Sequence, residues 1–483
     1  MAVAVALMAV ALTTRLLSGR TASTTGAVTT PPPMPGYWVP YVGHSLHVSF
    51  QDAGRFLARL AGAHPGGAVS LQLMGQQHTF VHDRDMARAL DPSSGDGRWF
   101  AERLVVSGFG LLSSYKSALR QVLELAVDTS DLASAATHHL VASIADLVSF
   151  NSYADQMEWE RLADADTVGS DGGDETHVEA NLMDLVGAFT AQSVTSALLG
   201  TNFATNFPEF PGILARIDSG MSARSSWSQK ARSARRQGQW CLYEFHDALD
   251  KHLAGQGVDP GVRWQDMDDV SGLIRERAIL YRNLGLSLSA RAAIDLAVAW
   301  ELSSQVGMLT SWMAFELYRD LTLLAQLRAE TGDYVRCVQP ENGFGTGVWI
   351  APSVSIDTDS LVARCLLLRS AYVETVRLYT CTGSSMRLKE DVTVPRVDKG
   401  SYLLRQGTYV DTAQEMYNLD ERRFASPDEW QGGRHIKDGA VDMDAATPYG
   451  ESARHLLSST TGTDTGQGMF TPWRVTAETL SCV

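Results

Sequence analysis

Five cysteines are spread along the 483 residues: Cys241, Cys337, Cys365, Cys381 and Cys482. They are odd in number, far apart and form no C-x-x-C. Neither a disulfide framework nor a zinc site is expected, and a reducing compartment is the default. A cysteine that does chemistry in this chain acts alone. Cys482 raises the question most sharply, because it closes the stretch MFTPWRVTAETLSCV, where Pro472 and Trp473 suggest a structured turn. The other arrangement with chemical potential is Glu374 and Arg377. They stand i, i+3 on a helix expected over 359–379, with Asp359 or Ser360 as its N-cap, and so share a face. Leu367, Leu368, Ala371 and Tyr372 supply apolar surface beside them. Buried there, each charge needs full pairing, for which a planar guanidinium is suited. On a solvated face the same spacing is an ordinary surface ion pair.

Other patterns fail on their context. GHSLH at 43–47 begins like a nucleophile elbow, but His47 stands where the closing glycine belongs. GFGTG at 343–347 has neither a preceding strand nor a following helix, as a phosphate loop requires. KARSARR at 230–236 is a candidate basic patch or, more simply, a solvated helix face. The net charge of −15 argues against a general nucleic-acid binder, since neutralising phosphates takes a basic surface.

The elements that must carry these residues are mostly helical. Periodicity of the helical kind runs through proline-free stretches at 112–150, 178–200, 220–256 and 268–335. Strand-like alternation is short: AVSLQLMG with HTFVH near 68–82, and YLLRQGTYVDT at 402–412, which reads as a hairpin about Gln406-Gly407. DTVGSDGGDETH at 166–177 reads as a surface loop, and 437–468 as irregular. At the front, twelve apolar residues end at Thr-Thr-Arg, short of the roughly 20 that span a bilayer. They read as a membrane-associated segment or the core of a signal peptide. Residues 1–30 are thus an apolar segment and linker, and PPPMPG at 31–36 is a stiff spacer opening one large domain over 31–483.

The second half of the chain resembles a cytochrome P450. In order it carries the E-x-x-R of Glu374 and Arg377, SSMRLKEDVTV, YLLRQGTYV and NLDERRFASPDEWQGGRH. The front, PPPMPGYWVPYVGHSL, is similar to the branch that holds sterol 7-hydroxylases and prostacyclin synthase, as are ANLMDLVGAFTAQSVTSALLGTNF and ARAAIDLAVAW. The resemblance implies a mainly α fold with minor β, the cytochrome P450 fold, C-terminally truncated. It implies that Arg434 completes a Glu-Arg-Arg cluster with Glu374 and Arg377, and that Arg387 approaches a haem propionate. It places Trp473 in the aromatic position before the haem-ligand loop, whose pattern is F-x-x-G-x-x-x-C-x-G. Counting seven on from Trp473 reaches Leu480, so Cys482, the candidate iron ligand, is two residues out of register and lacks the flanking glycines.

The long helix expected near 289–329 matches the family helix that crosses the haem. Ser303, Ser304 and Gln305 stand where many relatives carry an acid–alcohol pair that relays protons. The alternative is that the two serines bond back to the preceding turn. The resemblance thus implies a haem-thiolate monooxygenase acting on a lipophilic, steroid-like molecule or secondary metabolite. It would use b-type haem and NADPH electrons from a P450 reductase. The family's usual place is the cytosolic face of the endoplasmic reticulum membrane; without an anchor the protein is cytoplasmic. Two rivals stand beside it: a peroxide isomerase like prostacyclin synthase, and an inactive remnant of the fold without stable haem.

Overall fold

The computed structural model describes residues 2–18, 29–45, 53–90, 92–96, 99–125, 130–169, 176–220, 228–255, 262–338, 352–380, 383–443 and 445. They fall into two compact units, one built mainly from 1–101 and 376–430, the other mainly from 102–375 and 431–442. The first unit holds most of the strand and the second most of the helix.

In the first unit a five-stranded sheet runs in the order Ala68–Leu73, Gln76–Val81, Tyr409–Ala413, Gly383–Leu388, Gly95–Asp96. The first two strands form the expected hairpin. Met74 and Gly75 both take positive φ, 46° and 82°, which gives the twist a two-residue turn needs. Helix Ala53–Ala63 lays Leu57 and Ala61 on Val69, Leu71 and Phe80 of this sheet.

The stretch 402–412 is not a hairpin. Ser401–Leu404 pairs with Val392–Pro395, and with Thr29–Thr30 in parallel, in a second sheet. Tyr409–Ala413 instead lies between Gln76–Val81 and Gly383–Leu388. Alternation set the strands correctly but carried no information about partners so distant in sequence. Thr29–Thr30 is therefore strand where a linker was expected.

The second unit is built around two buried helices, Leu182–Leu199 and Leu288–Arg319. Both are apolar nearly all round, as a helix surrounded by others must be. They pack tightly at Gly307: a Cβ there would lie 3.1 Å from Gly187 Cα and 3.2 Å from Thr190 Oγ1. Helix Gln229–Ala254 packs on the same central helix through Gly238, where a Cβ would meet Leu296 at 2.8 Å. Side-chain caps start these helices: Asn181, Ser228 and Ser287 accept from backbone N–H groups of the first turn. KARSARR lies on Gln229–Ala254 with Ala231 and Ala234 buried and its outward arginines solvated, the simpler reading.

Both long helices expected near the site are broken. Leu288–Arg319 stops at Asp320, whose carboxylate accepts from Thr322 and Leu323 N–H to start Leu321–Thr331. The 359–379 segment is two helices, Thr358–Arg364 and Leu366–Tyr379, with Cys365 between them. Asp357, two residues before the expected Asp359, caps the first. Glu330 caps the second from outside, accepting from Leu367 N–H at 2.9 Å and Leu368 N–H at 3.1 Å. Part of 166–177 is strand: Asp166–Gly169 pairs with Thr176–Glu179. Ile436–Lys437 and Ala440–Val441 also pair, about the positive-φ turn Asp438-Gly439.

Candidate functional site

Leu366–Tyr379 carries the two residues singled out by spacing, and each is buried. Glu374 has no exposed surface. Its Oε1 accepts from Arg434 Nε at 2.8 Å and from Gln431 N–H at 3.0 Å. Its Oε2 lies 2.9 Å from His435 Nε2. The backbone N–H of His435 donates to Ser370 Oγ at 3.1 Å, one turn before Glu374 on the helix. The carboxylate is thus held by two adjacent side chains, Arg434 and His435. A buried carboxylate is stable in such a place because each of its oxygens meets a polar partner.

Arg377, 2% exposed, has a different set of partners. Its Nη1 donates to the carbonyls of Asn418 at 2.7 Å and Pro427 at 2.6 Å, its Nη2 to Glu429 O at 3.3 Å. Its guanidinium carbon lies 5.0 Å from the centre of the Phe424 ring. Asn418 Nδ2 donates back to Arg377 O at 3.0 Å. Arg377 therefore gathers the irregular segment 418–429 by its carbonyls, which only a multi-donor fork does without accepting anything itself.

Ser303, Ser304 and Gln305 lie on the central helix. Ser303 Oγ is buried and has no hydrogen-bond partner among the described residues, so it does not bond back to the helix. Ser304 Oγ does, reaching Glu301 O at 3.4 Å. Gln305 is half-buried. Arg387 is exposed on its strand, its guanidinium 6.0 Å from the centre of the Tyr409 ring. Trp473 and Cys482 lie outside the described residues.

One cluster was missed by spacing. Asp295, fully buried in the central helix, accepts from Arg277 Nη1 at 3.0 Å and Tyr281 Oη at 2.6 Å through Oδ1. Its Oδ2 lies 3.1 Å from His246 Nε2. Burial would raise its pKa, but His246, Arg277 and Tyr281 together hold it below the ordinary value. The signal was present in AAIDLAVAW: one carboxylate in an apolar run must find cations on neighbouring helices.

A haem-thiolate site needs a cysteine poised to ionise. Burial pushes the Cys241 thiol up to about 12 and Cys365 up to about 11, and Cys337 is exposed on a strand. Among the described residues no three His, Cys, Asp or Glu side chains are grouped to hold a metal. None of the three described cysteines is therefore suited to be the axial ligand of such a site.

The fold is that of a cytochrome P450 haem domain. The haem domain of cytochrome P450DA is similar over 94% of this chain and 89% of its own, with a TM-score of 0.56 and 16% identity. In sequence, 199 residues are 26% identical to a cytochrome P450 monooxygenase of Gibberella zeae. That match covers 39% of this chain and only 35% of the length of the relative. No family model matches the chain.

Proposed function

We propose that the chain is a cytochrome P450-type oxidoreductase acting on a lipophilic small molecule, steroid-like or a secondary metabolite. Haem would be its cofactor, NADPH its electron source and a P450 reductase its partner. The observation that carries this is Glu374 locked by Arg434 and His435 within a P450 haem-domain fold. That lock fixes helix Leu366–Tyr379 to the segment after Gln431, wherever the axial ligand comes from. The front-end resemblance to the sterol 7-hydroxylase and prostacyclin synthase branch supports the substrate class. No carboxylate–threonine pair stands at 303–305, which supports the rival active reading, a peroxide isomerase that would need neither NADPH nor a reductase.

The test is to purify the chain with added haem and record the reduced carbon monoxide difference spectrum. The red-shifted Soret band of thiolate-ligated haem is expected. No haem uptake overturns the enzymatic reading and leaves a P450-fold protein without stable haem, the second reading, favoured by the two-residue offset of Cys482 and its missing flanking glycines. Turnover with organic peroxide alone, against NADPH with reductase, separates isomerase from monooxygenase.

The N-terminal helix supports membrane association. Ala2–Ser18 exposes Val5, Met8, Leu16 and Leu17, and is tied to the body where Ser18 Oγ accepts from Tyr37 N–H at 2.9 Å. Thr13 and Thr14 do not break it, because their hydroxyls bond back to Ala9 and Val10 carbonyls. Among the described residues, Leu182–Leu199 alone is long and apolar enough to span a membrane, and it is core. We place Ala2–Ser18 along the cytosolic face of the endoplasmic reticulum membrane, its apolar side in the interface.

A further inference from the structure

Three side chains from separate segments meet beside the central helix. Trp300, half-buried on Leu288–Arg319, donates Nε1–H to Asp218 Oδ1 at 3.0 Å. Asp218 comes from helix Phe210–Gly220. The Phe109 ring lies 5.8 Å from the indole, tilted by 46°. Phe109 is itself fixed, because Gln239 Nε2 donates to its carbonyl at 2.5 Å and Arg235 Nη1 to the Gly108 carbonyl at 2.7 Å.

From Trp300 a strip of incompletely buried residues runs along an otherwise buried helix: Ser304, Met308, Trp312 and Phe315. Steps of three and four residues put them on one broad face. That face is mainly apolar, with the Asp218–Trp300 pair at its start. Asp218 keeps solvent access, yet enough protein surrounds it that burial raises its pKa, against the opposing pull of the Trp300 hydrogen bond. Among the described residues its second oxygen has no protein partner and is open to a donor.

We propose that Asp218, oriented by Trp300, determines ligand choice by accepting a hydrogen bond from a hydroxyl or ammonium group on an otherwise lipophilic molecule lying along the Trp300–Phe315 strip. The proposal rests on the reading of the chain as a protein for lipophilic small molecules, and names the polar handle such a ligand carries. Trp300 Nε1–H fixes one carboxylate oxygen, which aims the other. Phe109 backs the Trp300 indole on one side.

Calorimetric titration of the full chain with three probes of one shape tests this: 1-adamantanol, 1-adamantanamine and 1-methoxyadamantane, the last without a donor. The alcohol and the ammonium should bind about 10-fold tighter than the ether or more. Asp218→Ala should erase that preference and leave the ether's affinity within about 2-fold. Asp218→Asn should keep the preference for the alcohol and lose that for the ammonium. Circular dichroism melting checks that both variants fold, as an exposed position predicts. Unchanged preference in Asp218→Ala, no preference in the native protein, or no binding of any probe each overturns the assignment. The carbon monoxide spectrum reports separately on haem. Haem uptake without Asp218-dependent preference rejects this assignment alone, and preference without haem uptake rejects the enzymatic reading alone.

Discussion

His435 Nε2 stands 2.9 Å from Glu374 Oε2, while the neighbouring Arg434 takes the other oxygen of the same buried carboxylate. Two consecutive residues thereby close one anion, and the chain after Gln431 is fixed in direction as well as position. Removing the carboxylate leaves Arg434, 10% exposed in its side chain, without its counter-charge. Glu374→Ala should cost about 3–5 kcal/mol, enough to yield insoluble protein in a domain of ordinary stability. His435→Gln, which keeps a donor, should cost about 1 kcal/mol. Solubility and chemical denaturation of the two variants check this; soluble, fully folded Glu374→Ala contradicts it.

Two buried titrating groups predict separate pH windows of instability. Burial lowers the His82 pKa to about 4, with Arg422 adding to the effect and the His64 carbonyl opposing it. The unfolded chain binds this proton from about pH 6.5 downward and the folded chain does not, so stability is full above that value. It should fall by about 1.4 kcal/mol per pH unit until His82 protonates in the folded protein near pH 4. His82→Gln should flatten that limb. Asp295 has the opposite origin and a lower window: its pKa is held below the ordinary 3.8, so its contribution is present above that value and lost as pH falls beneath it. Denaturation midpoints measured from pH 8 to pH 3 (a range of about 5 units chosen to span both carboxylate and imidazole titration) resolve the two limbs.

Gly307 separates helix propensity from packing. A methyl there meets Gly187 Cα at 3.1 Å, tight but not impossible, while the helix gains about 1 kcal/mol from losing a glycine. Gly307→Ala should therefore leave thermal stability within about 1 kcal/mol of the native protein. Gly307→Val adds volume with nowhere to go and should cost about 1–3 kcal/mol. Equal effects of the two would mean that the helices do not cross at this glycine.

Ser303 offers a clean split between structure and chemistry. Its buried hydroxyl has no partner among the described residues, so Ser303→Ala removes an unsatisfied group and should cost no stability. A fall of about 10-fold or more in turnover, with the melting temperature unchanged, is expected if the hydroxyl moves a proton. Unchanged turnover removes Ser303 from the site. Gln305→Leu, at a half-buried position, reports in the same way on its amide.

Deleting residues 2–18 should lower binding to vesicles of anionic and zwitterionic phospholipid, measured by co-sedimentation, and leave the melting temperature nearly unchanged. The helix exposes most of its large apolar side chains and contributes little to the core. Equal binding of the shortened chain would place the membrane contact elsewhere.

The residues of the Glu374 cluster were partly legible in advance. Glu374 and Arg377 follow from their spacing, and Arg434 from the resemblance to the cytochrome P450 family. His435 was not expected, although it stands beside Arg434 in GGRH, because spacing shows which residues share a helix face and not which loop returns to cover it. Asp438-Gly439, a two-residue turn with both φ positive, carries a hairpin signal in its residue types, which the Gly-, Ser-, Thr- and Asp-rich composition of 437–468 masks. Glu330 as the cap of Leu366–Tyr379 had no local signal at all, since it comes from a separate helix.

Local sequence determined what needs only neighbours: the apolar helices 182–199 and 288–319, their serine and asparagine caps, the hairpin about Met74-Gly75, and the helix face that carries Glu374. Tertiary structure decided the rest. It split 402–412 between two sheets, started helix Leu366–Tyr379 with a cap from Glu330, and gave Asp295 its three partners from helices 229–254 and 272–283. The reason is physical. Propensity, capping and periodicity act within a few residues along the chain, whereas strand pairing and the neutralising of a buried charge are settled by whatever the folded chain brings within about 3 Å.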